Sequence, residues 1–261
     1  MEAASFQSIV TQLTAGQTPR VWSLLVTIFG ELAQEKGAQI SGLMLTHMRA
    51  LIGIKPEAMR VALHRLRKDG WIENRRTGRT SAYYLTDWGR AQSGEASPRI
   101  YSPAPAADQA WLILSDPNRP QSDSSLHGTW LTSNLVLSID APPPSDAFVT
   151  PLTAETTLPD WMRNKVCDAE TLAKSIAFAD TLETVKRQLN VLPELSVLES
   201  AVFRILLVHA WRRIVLKSPV LPDFVFPVDW CGPQCRQNVS DLLTSFPKCS
   251  LAELEAAMRP V

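Results

Sequence analysis

Apolar residues recur at helical spacing in three stretches of the first hundred residues. The pattern predicts a helix that opens at Thr18, a second helix over Gly42–Leu51 that is capped by Ser41, and a third over Pro56–Gly70. The apolar stripe of the first of these helices consists of Leu24, Leu25, Ile28, Phe29 and Leu32. Residues 1–17 are small and polar, and we expect them to be a loose or weakly helical lead-in.

The third predicted helix has two distinct faces. Its apolar face, which we expect to lie in the core, consists of Met59, Ala62, Leu63 and Leu66. Its other face is mostly charged and consists of Glu57, Arg60, Val61, His64 and Lys68, with Lys55 and Arg65 at its margins. A basic helix of about four turns has the size of an element that enters the major groove of DNA.

A segment rich in β-forming residues follows this helix. The turn pair Thr77-Gly78 and the run that ends at Thr86 predict a two-stranded hairpin. The arginines near its tip, which are candidates for contacts to phosphates, are Arg75, Arg76 and Arg79. Together with a short strand at Ile40, three helices and an arginine-tipped hairpin are the elements of a winged helix, a helix-turn-helix variant.

The middle of the chain has less regular patterns. Ala110–Ser115 and Trp130–Ile139 predict two strands, and Asp116–Thr129 between them contains two prolines and no helical periodicity. Pro98–Ala107 and Ala141–Pro151 are rich in proline, alanine and serine and are predicted to be linkers.

Helical spacing returns from Asp168 onward. It predicts two long helices over residues 168–190 and 195–217, a helix near Pro233–Phe246, and a last helix that begins with a capping box at Ser250. The two long helices carry more apolar positions than one antiparallel pair can bury. We therefore expect them to form a dimer interface.

Charge is distributed unevenly along the chain. The segment from Lys55 to Arg90 holds nine bases and four acids, and residues 1–100 carry a net charge of +5 against −5 for residues 101–261. The alternative to a functional role is a solvated face on a small domain. Placement of the bases on one helix face and one hairpin favours nucleic-acid binding by the N-terminal part.

Other kinds of chemistry have little support in the sequence. Cys231 and Cys235, with His209 or Cys249, have a spacing that metal sites allow, but free structural cysteines are the favoured interpretation. No spacing supports a catalytic triad, a phosphate loop or a carboxylate pair, so neither an enzyme nor a cofactor is expected. The chain lacks a signal-peptide pattern and any apolar run of about 18 residues, so we expect a cytoplasmic protein without a membrane span.

Two blocks of the sequence resemble one known family. The first block comprises Ser23–Gly30 (SLLVTIFG), Arg60–Trp71 (RVALHRLRKDGW) and Tyr84–Thr86 followed by Gly89. The second comprises Arg204–Pro219 (RILLVHAWRRIVLKSP), Leu221-Pro222, Pro227–Trp230 and Gly232. In this order they resemble the N-terminal and C-terminal signatures of the PaaX-like repressors, which are bacterial regulators of phenylacetate breakdown.

The resemblance implies an α+β protein with three parts. These are a winged helix-turn-helix over residues 1–97, a short ferredoxin-like (Cas2-like) middle domain over 98–160, and an α-helical dimerisation and effector domain over 161–261. The family carries a helix between the first two strands of the middle domain, and Asp116–Thr129 lacks its pattern, so we expect an abbreviated middle domain. The implied partners are double-stranded DNA, a second copy of the chain, and an acyl-CoA effector such as phenylacetyl-CoA that releases the DNA.

Adjacent arginines beside an aromatic ring suit a flat, phosphorylated ligand such as this effector. The candidate effector residues are Arg204, Trp211, Arg212, Arg213 and Lys217. For Trp211-Arg212-Arg213 the structural alternative is that the tryptophan lies in the core and the two arginines pair with carboxylates such as Asp223 or Asp229.

A rival hypothesis for the whole chain comes from a different functional class. In it the winged helix is an interaction module whose basic face docks on an acidic protein surface, without sequence-specific DNA binding. Titrations with duplex DNA at several salt concentrations distinguish this hypothesis from DNA binding. Neutralisation of phosphates gives a steep dependence of DNA affinity on salt concentration, which a protein-interaction module would lack.

Overall fold

The structure is a computed structural model that describes residues 5–15, 20–78, 80–103, 107–117, 127–141 and 147–259. Two compact units make up the chain, and each is built from separate stretches of sequence. The first unit consists of Met1–Tyr101, Asp180–Arg212 and Asn238–Val261, and the second of Ser102–Ala179 and Arg213–Gln237. The three-part division at residues 97 and 160 stays a prediction.

The N-terminal stretch of the first unit follows the predicted order of helices and hairpin. Its elements are α1 (Phe6–Thr14), α2 (Val21–Leu32), β1 (Ile40–Ser41), α3 (Gly42–Ile52), α4 (Pro56–Lys68), β2 (Ile72–Thr77), β3 (Thr80–Leu85) and α5 (Asp87–Tyr101). Ser41 caps α3 as predicted, because its side chain accepts a hydrogen bond from the Met44 amide. Gly53 and Gly70 follow α3 and α4 with φ values of 79° and 75°, a left-handed conformation that glycine adopts without strain. Thr18, the predicted start of α2, lies outside the described residues.

The structure refines one prediction for this stretch and corrects another. Of the two alternatives for the lead-in, loose or weakly helical, the helical one describes Phe6–Thr14, which form the nine-residue helix α1, capped by Ser5. Phe6, Ile9 and Val10 share one buried face of this helix, so packing stabilises it. The predicted linker from Pro98 is wrong at its start, because α5 continues through Pro98 to Tyr101.

The hairpin belongs to a three-stranded antiparallel sheet in the order β1-β3-β2. Ile40 of β1 pairs with Tyr83, while Ile72 and Thr77 of β2 pair with Leu85 and Thr80. β3 is therefore the central strand, and β2, which carries the arginines, is an edge strand.

Hydrogen bonds tie both ends of the hairpin to the neighbouring helices. The Thr86 hydroxyl donates to the Gly70 carbonyl at 2.6 Å, and the Gly89 amide donates to the Thr86 hydroxyl at 2.9 Å. A Cβ atom on Gly89 would lie 2.3 Å from the Trp71 carbonyl oxygen, which is closer than any side chain permits. Glycine at this position therefore fixes the start of α5 against the start of β2.

C-terminal segments complete the first unit. The helices involved are α7 (Ala169–Leu189) from Asp180 onward, α8 (Val197–Val215) up to Arg212, α9 (Gly232–Ser245) from Asn238 onward, and α10 (Leu251–Ala257). The predicted capping box is present, because Ser250 and Glu253 exchange side-chain to backbone hydrogen bonds at the start of α10. The Trp211 indole donates to the Ile100 carbonyl at 3.0 Å, and the Gln188 amide donates to the Ser8 hydroxyl at 2.8 Å. Segments far apart in sequence thus share one core.

The second unit contains a four-stranded antiparallel sheet in the order β5-β6-β4-β7. Its elements are β4 (Ala110–Leu114), β5 (Thr129–Trp130), β6 (Leu135–Ser138), β7 (Phe148–Leu152), α6 (Asp160–Val166), the first part of α7, a 3-10 helix (Asp223–Val225) and the start of α9. One sheet face packs on a core that includes Leu137, Leu152, Met162, Leu221 and Phe226.

The structure corrects two predictions for this unit and adds one helix. The strand predicted over Trp130–Ile139 is divided into β5 and β6 by a turn. The linker predicted over Ala141–Pro151 contains most of β7, and α6 was not predicted at all. The segment Asp116–Thr129, where we expect no helix, lies mostly outside the described residues.

Candidate nucleic-acid interface

Helix α4 presents one face to the core, as its periodicity predicted. Met59, Ala62 and Leu66 are buried, and Leu63 is half-buried. Pro56 occupies the first turn, where its missing N–H leaves no unsatisfied donor. Because the core side chains lock the rotation of the helix, its opposite face is held toward the surface.

That opposite face is exposed at each of its predicted positions. These are Lys55, Glu57, Arg60, Val61, His64, Arg65 and Lys68. The Arg60 guanidinium is 3.9 Å from the Glu57 carboxylate, but both side chains are more than 70% exposed, so this pair contributes little to stability. Arg65 differs, because it lies 5.2 Å over the Trp22 ring and 3.4 Å from Asp69, contacts that hold it at the side of the helix.

The sequence prediction missed one basic residue of this face, Arg67. It is exposed, and it lines an open groove of about 530 Å³ between the last turn of α4 and strand β2. The other residues of the groove are His64, Lys68, Ile72, Glu73 and Asn74. Arg67 lies seven positions after Arg60, so two full helical turns place both on nearly the same line, a signal that was present in the sequence.

The hairpin arginines are exposed on both sides of the edge strand. Arg75 and Arg76 are consecutive in β2, so their side chains point to opposite faces of the hairpin. The Arg76 guanidinium donates to the Gly78 carbonyl at 3.2 Å. Arg79 lies outside the described residues.

One acidic residue of the groove is already engaged. The Tyr84 hydroxyl donates to the Glu73 carboxylate at 2.9 Å across the hairpin, and this hydrogen bond raises the pKa of Tyr84. Glu73 is thereby held along β2, in a groove whose other charged residues are Arg67 and Lys68.

The predicted effector residues occupy different environments. Arg204 and Trp211 are buried, and their polar groups contact the chain itself. The Arg204 guanidinium donates to the Glu31 carboxylate at 2.7 Å and to the carbonyls of Leu243 and Phe246, while Trp211 donates to the Ile100 carbonyl. Asp223, one of the carboxylates considered as a partner for Arg212 or Arg213, pairs with Arg236.

Arg212 is half-buried beside a small polar cavity in the first unit. Its guanidinium donates to the Thr27 hydroxyl at 3.0 Å, and burial lowers its pKa. The cavity has a volume of about 30 Å³ and is also lined by Ser93, Ser97 and Tyr101. That space holds one or two water molecules and is far too small for a coenzyme A thioester.

The remaining two candidates are exposed and belong to the second unit. Arg213 is exposed, and the Lys217 amine lies 3.4 Å from the Asp168 carboxylate and 3.5 Å from that of Glu170. The structure therefore does not gather the five predicted effector residues into one described pocket.

The residues considered for a metal site are also dispersed. All four cysteines are free thiols, Cys235 donates to the Ser175 carbonyl, and His209 Nδ1 lies 3.0 Å from the Thr27 hydroxyl. In the ranges that the structure describes, no cluster of three or more histidine, cysteine or acidic side chains could hold an ion.

Within the same ranges, no helix is both long enough and apolar enough to cross a bilayer.

Profiles of one protein family match both halves of the sequence. The PaaX-like protein profile matches residues 20–89, which span α2 to the start of α5, and the PaaX-like protein C-terminal domain profile matches residues 168–255. The chain belongs to the PaaX-like family. This PaaX-like chain is also 29% identical to the transcriptional repressor PaaX of Escherichia coli K12, over 88% of its own length and 81% of that protein.

A solved structure has a weaker likeness to this PaaX-like chain. It is an uncharacterized protein, Rv0674, from Mycobacterium tuberculosis, with 17% sequence identity over 98% of this chain and 100% of that chain, and a TM-score of 0.40. A score at that level supports no argument about shared architecture.

Membership of the PaaX-like family also bears on enzymatic activity. PaaX-like proteins are not enzymes, in agreement with the expectation from the sequence.

Proposed function

We propose that this PaaX-like chain is a DNA-binding transcriptional repressor whose reading element is a winged helix formed by α2–α4 and β1–β3. One observation carries the proposal. The exposed face of α4 holds five basic residues, Arg60, His64, Arg65, Arg67 and Lys68, beside the edge strand that carries Arg75 and Arg76. A helix that enters the major groove with a hairpin along the phosphates needs this combination.

The charge of this surface also favours DNA over an acidic protein partner. The surface bases occur on two elements that meet at one groove, where phosphates of both strands could be contacted together. An adaptor of the same fold remains the second candidate, since a basic groove also attracts carboxylates.

The architecture elsewhere supports the finer parts of the proposal. In the sheet of the second unit β4, the first strand in sequence, lies between β6, the third, and β7, the last. A ferredoxin-like sheet has this strand order. The small number of residues between the strands suits an abbreviated form of that fold. We further propose that the repressor is a homodimer, because two winged helices about 34 Å apart on one side of the duplex contact two half-sites.

The proposed effector is an acyl-CoA thioester that weakens operator binding in the dimer. Lys217 and Arg213 are the predicted effector residues with exposed charge, and they are the ones able to meet a ligand's phosphates directly. Arg204 and Trp211 would act indirectly, by holding the first unit together. The regulated genes would then belong to the breakdown of an aromatic or another organic acid.

A fluorescence anisotropy titration of the full chain tests the DNA proposal. Duplexes selected from a random library by the protein itself are titrated at several salt concentrations, with wild type, Arg60→Ala and His64→Ala compared. Each variant should lose about 1–3 kcal/mol on the selected duplex and discriminate less against other sequences. Arg187→Ala, an exposed arginine of α7, is the matched control and should bind like wild type.

The same material tests the assembly and the effector. Sedimentation should show two chains per selected duplex, and a panel of acyl-CoA esters should lower affinity by the 5- to 150-fold typical of allosteric coupling. Binding that shows no sequence preference and a shallow salt dependence would favour the adaptor. One chain per duplex would contradict the proposed dimer. An affinity for DNA that no ester changes would contradict the proposed effector.

A further inference from the structure

Val61 is an unusual residue at the centre of the proposed reading face. It is 69% exposed on α4, a helix whose exposed side is otherwise charged or polar. Its neighbours one turn away are Glu57 and Arg65, and His64 lies three positions later. A β-branched residue is a weak helix former, and at this exposure it gains little from burial in the described chain.

The geometry of the face shows what could contact this side chain. Valine ends one carbon beyond Cβ, whereas arginine and lysine reach several atoms further. Val61 can therefore touch a partner only if the helix lies deep against it, with Arg67 and Lys68 reaching outward to flanking charges. A major groove about 12 Å wide between two rows of phosphates fits these conditions.

From this arrangement we infer that Val61 reads the C5-methyl group of a thymine in the operator, an inference that rests on the proposed DNA-binding function. Thymine presents the methyl group of the major groove, and apolar side chains recognise it by contact. The Val61 side chain, which is exposed in the unbound protein, would then be buried against the DNA.

Glu57 adds a second element to the same reading. Its carboxylate is 72% exposed and only loosely paired with Arg60, and a carboxylate near phosphates is unfavourable unless it accepts a hydrogen bond. In the major groove the matching donor is the N4 amino group of cytosine. Four residues of helix rise about 6 Å and base pairs are spaced by about 3.4 Å, so the cytosine should lie within two base pairs of the thymine.

The test removes the methyl group from the DNA and from the protein in turn. Each thymine of the selected duplex is replaced singly by deoxyuridine, and the affinities of wild type and Val61→Ala are measured for every duplex. We expect one thymine position in each half-site to respond. Its replacement by deoxyuridine should weaken the binding of wild type about fourfold, which corresponds to the free energy of burying one methylene-sized group. Val61→Ala should be weakened by a similar factor on the thymine duplex and should not respond to deoxyuridine at that position.

Matched variants separate this effect from folding and from general apolar contact. Val191→Ala changes the same residue type at 71% exposure in the same unit and should leave both affinities unchanged. The thermal midpoint of Val61→Ala should equal or exceed that of wild type, since alanine favours helix. Glu57→Gln should relax the preference for cytosine near the responsive thymine.

The possible failures are distinguishable. If wild type binds a selected sequence but responds to no deoxyuridine, or if Val61→Ala keeps the full response, the methyl reading is wrong while DNA binding stands. If no sequence is selected from the library, the proposed function and this inference fall together.

Discussion

Glu31 and Arg204 form a buried ion pair although 173 positions separate them in the sequence. Arg204 Nε is 2.7 Å from Glu31 Oε2, and the two side chains are 11% and 1% exposed. The Tyr101 hydroxyl donates to the same carboxylate, and burial is the main cause that raises the pKa of Tyr101. The pair thus joins α2, which packs against α4, to α8 within one unit.

Breaking this pair from one side should destabilise the whole chain. Glu31→Gln leaves the Arg204 guanidinium buried without its counter-ion, a change that costs about 3–5 kcal/mol in comparable buried pairs. Urea unfolding of the full chain at neutral pH measures the loss. The double variant E31Q/R204M should be more stable than E31Q, because it leaves no charge buried.

The exposed pair Glu57–Arg60 provides the control for that experiment. Both of its side chains are in solvent, so Glu57→Gln should change the free energy of unfolding by less than about 1 kcal/mol. Equal losses for Glu31→Gln and Glu57→Gln would show that burial of the first pair has no energetic consequence.

Gly89→Ala should disturb the hairpin more than its size suggests. The new methyl group would meet the Trp71 carbonyl oxygen at 2.3 Å, and backbone atoms cannot move aside cheaply, so a loss of about 1–3 kcal/mol is expected. Gly94→Ala in the same helix is the control, since its methyl group would meet only the Gln34 side-chain amide, at 3.3 Å, and no backbone atom. Thermal unfolding should show a clearly larger loss of stability for Gly89→Ala than for Gly94→Ala.

Arg67, Arg75 and Arg76 should contribute to affinity without contributing to sequence choice. Each alanine variant should weaken selected and random duplexes alike and reduce the slope of log affinity against log salt by about one unit. Anisotropy titrations from low to moderate salt give that slope. An altered base preference with an unchanged slope would place that arginine in a groove instead.

Two buried thiols should make the protein lose stability at alkaline pH. Burial raises the pKa of Cys235 to about 12 and that of Cys167 to about 11, from an ordinary value of 9.0. Above pH 9 the unfolded chain loses these protons while the folded chain keeps them, so stability falls as pH rises through the folded values. Unfolding midpoints across this range should fall less steeply for Cys235→Ala than for wild type.

The sequence predicted well those parts of the fold in which one element buries one face. The two sides of α4 follow from the spacing of Met59, Ala62 and Leu66, and the Ser41 cap follows from local hydrogen bonding. Arg67 was missed even though the same spacing reveals it. Its position on the face became plain only when the groove beside β2 was visible.

Structural features that depend on contacts between residues far apart in the sequence could not be predicted from the local spacing of residues. β7 contains Pro151 and begins after a proline-rich run, so its pairing with β4 is set by the sheet and not by local propensity. Arg204 was predicted to bind the effector because it is a basic residue near Trp211 in the sequence. Its carboxylate partner lies on α2, and only the folded chain reveals the pair.

The three-segment construction of the first unit has a consequence for the order of synthesis. Every residue of the proposed DNA-binding surface has been synthesised once α4 and the hairpin leave the ribosome, yet Arg204 and the helices after it are still to come. At common elongation rates of about 5–20 residues per second, the nascent chain waits on the order of 10–40 s for them. A product that stops before Arg204 would contain α4 and the hairpin, the proposed DNA-binding elements, but would lack the buried partner of Glu31 on α2. We therefore expect such a truncated product to be less stable than the full chain and to be degraded faster by proteases.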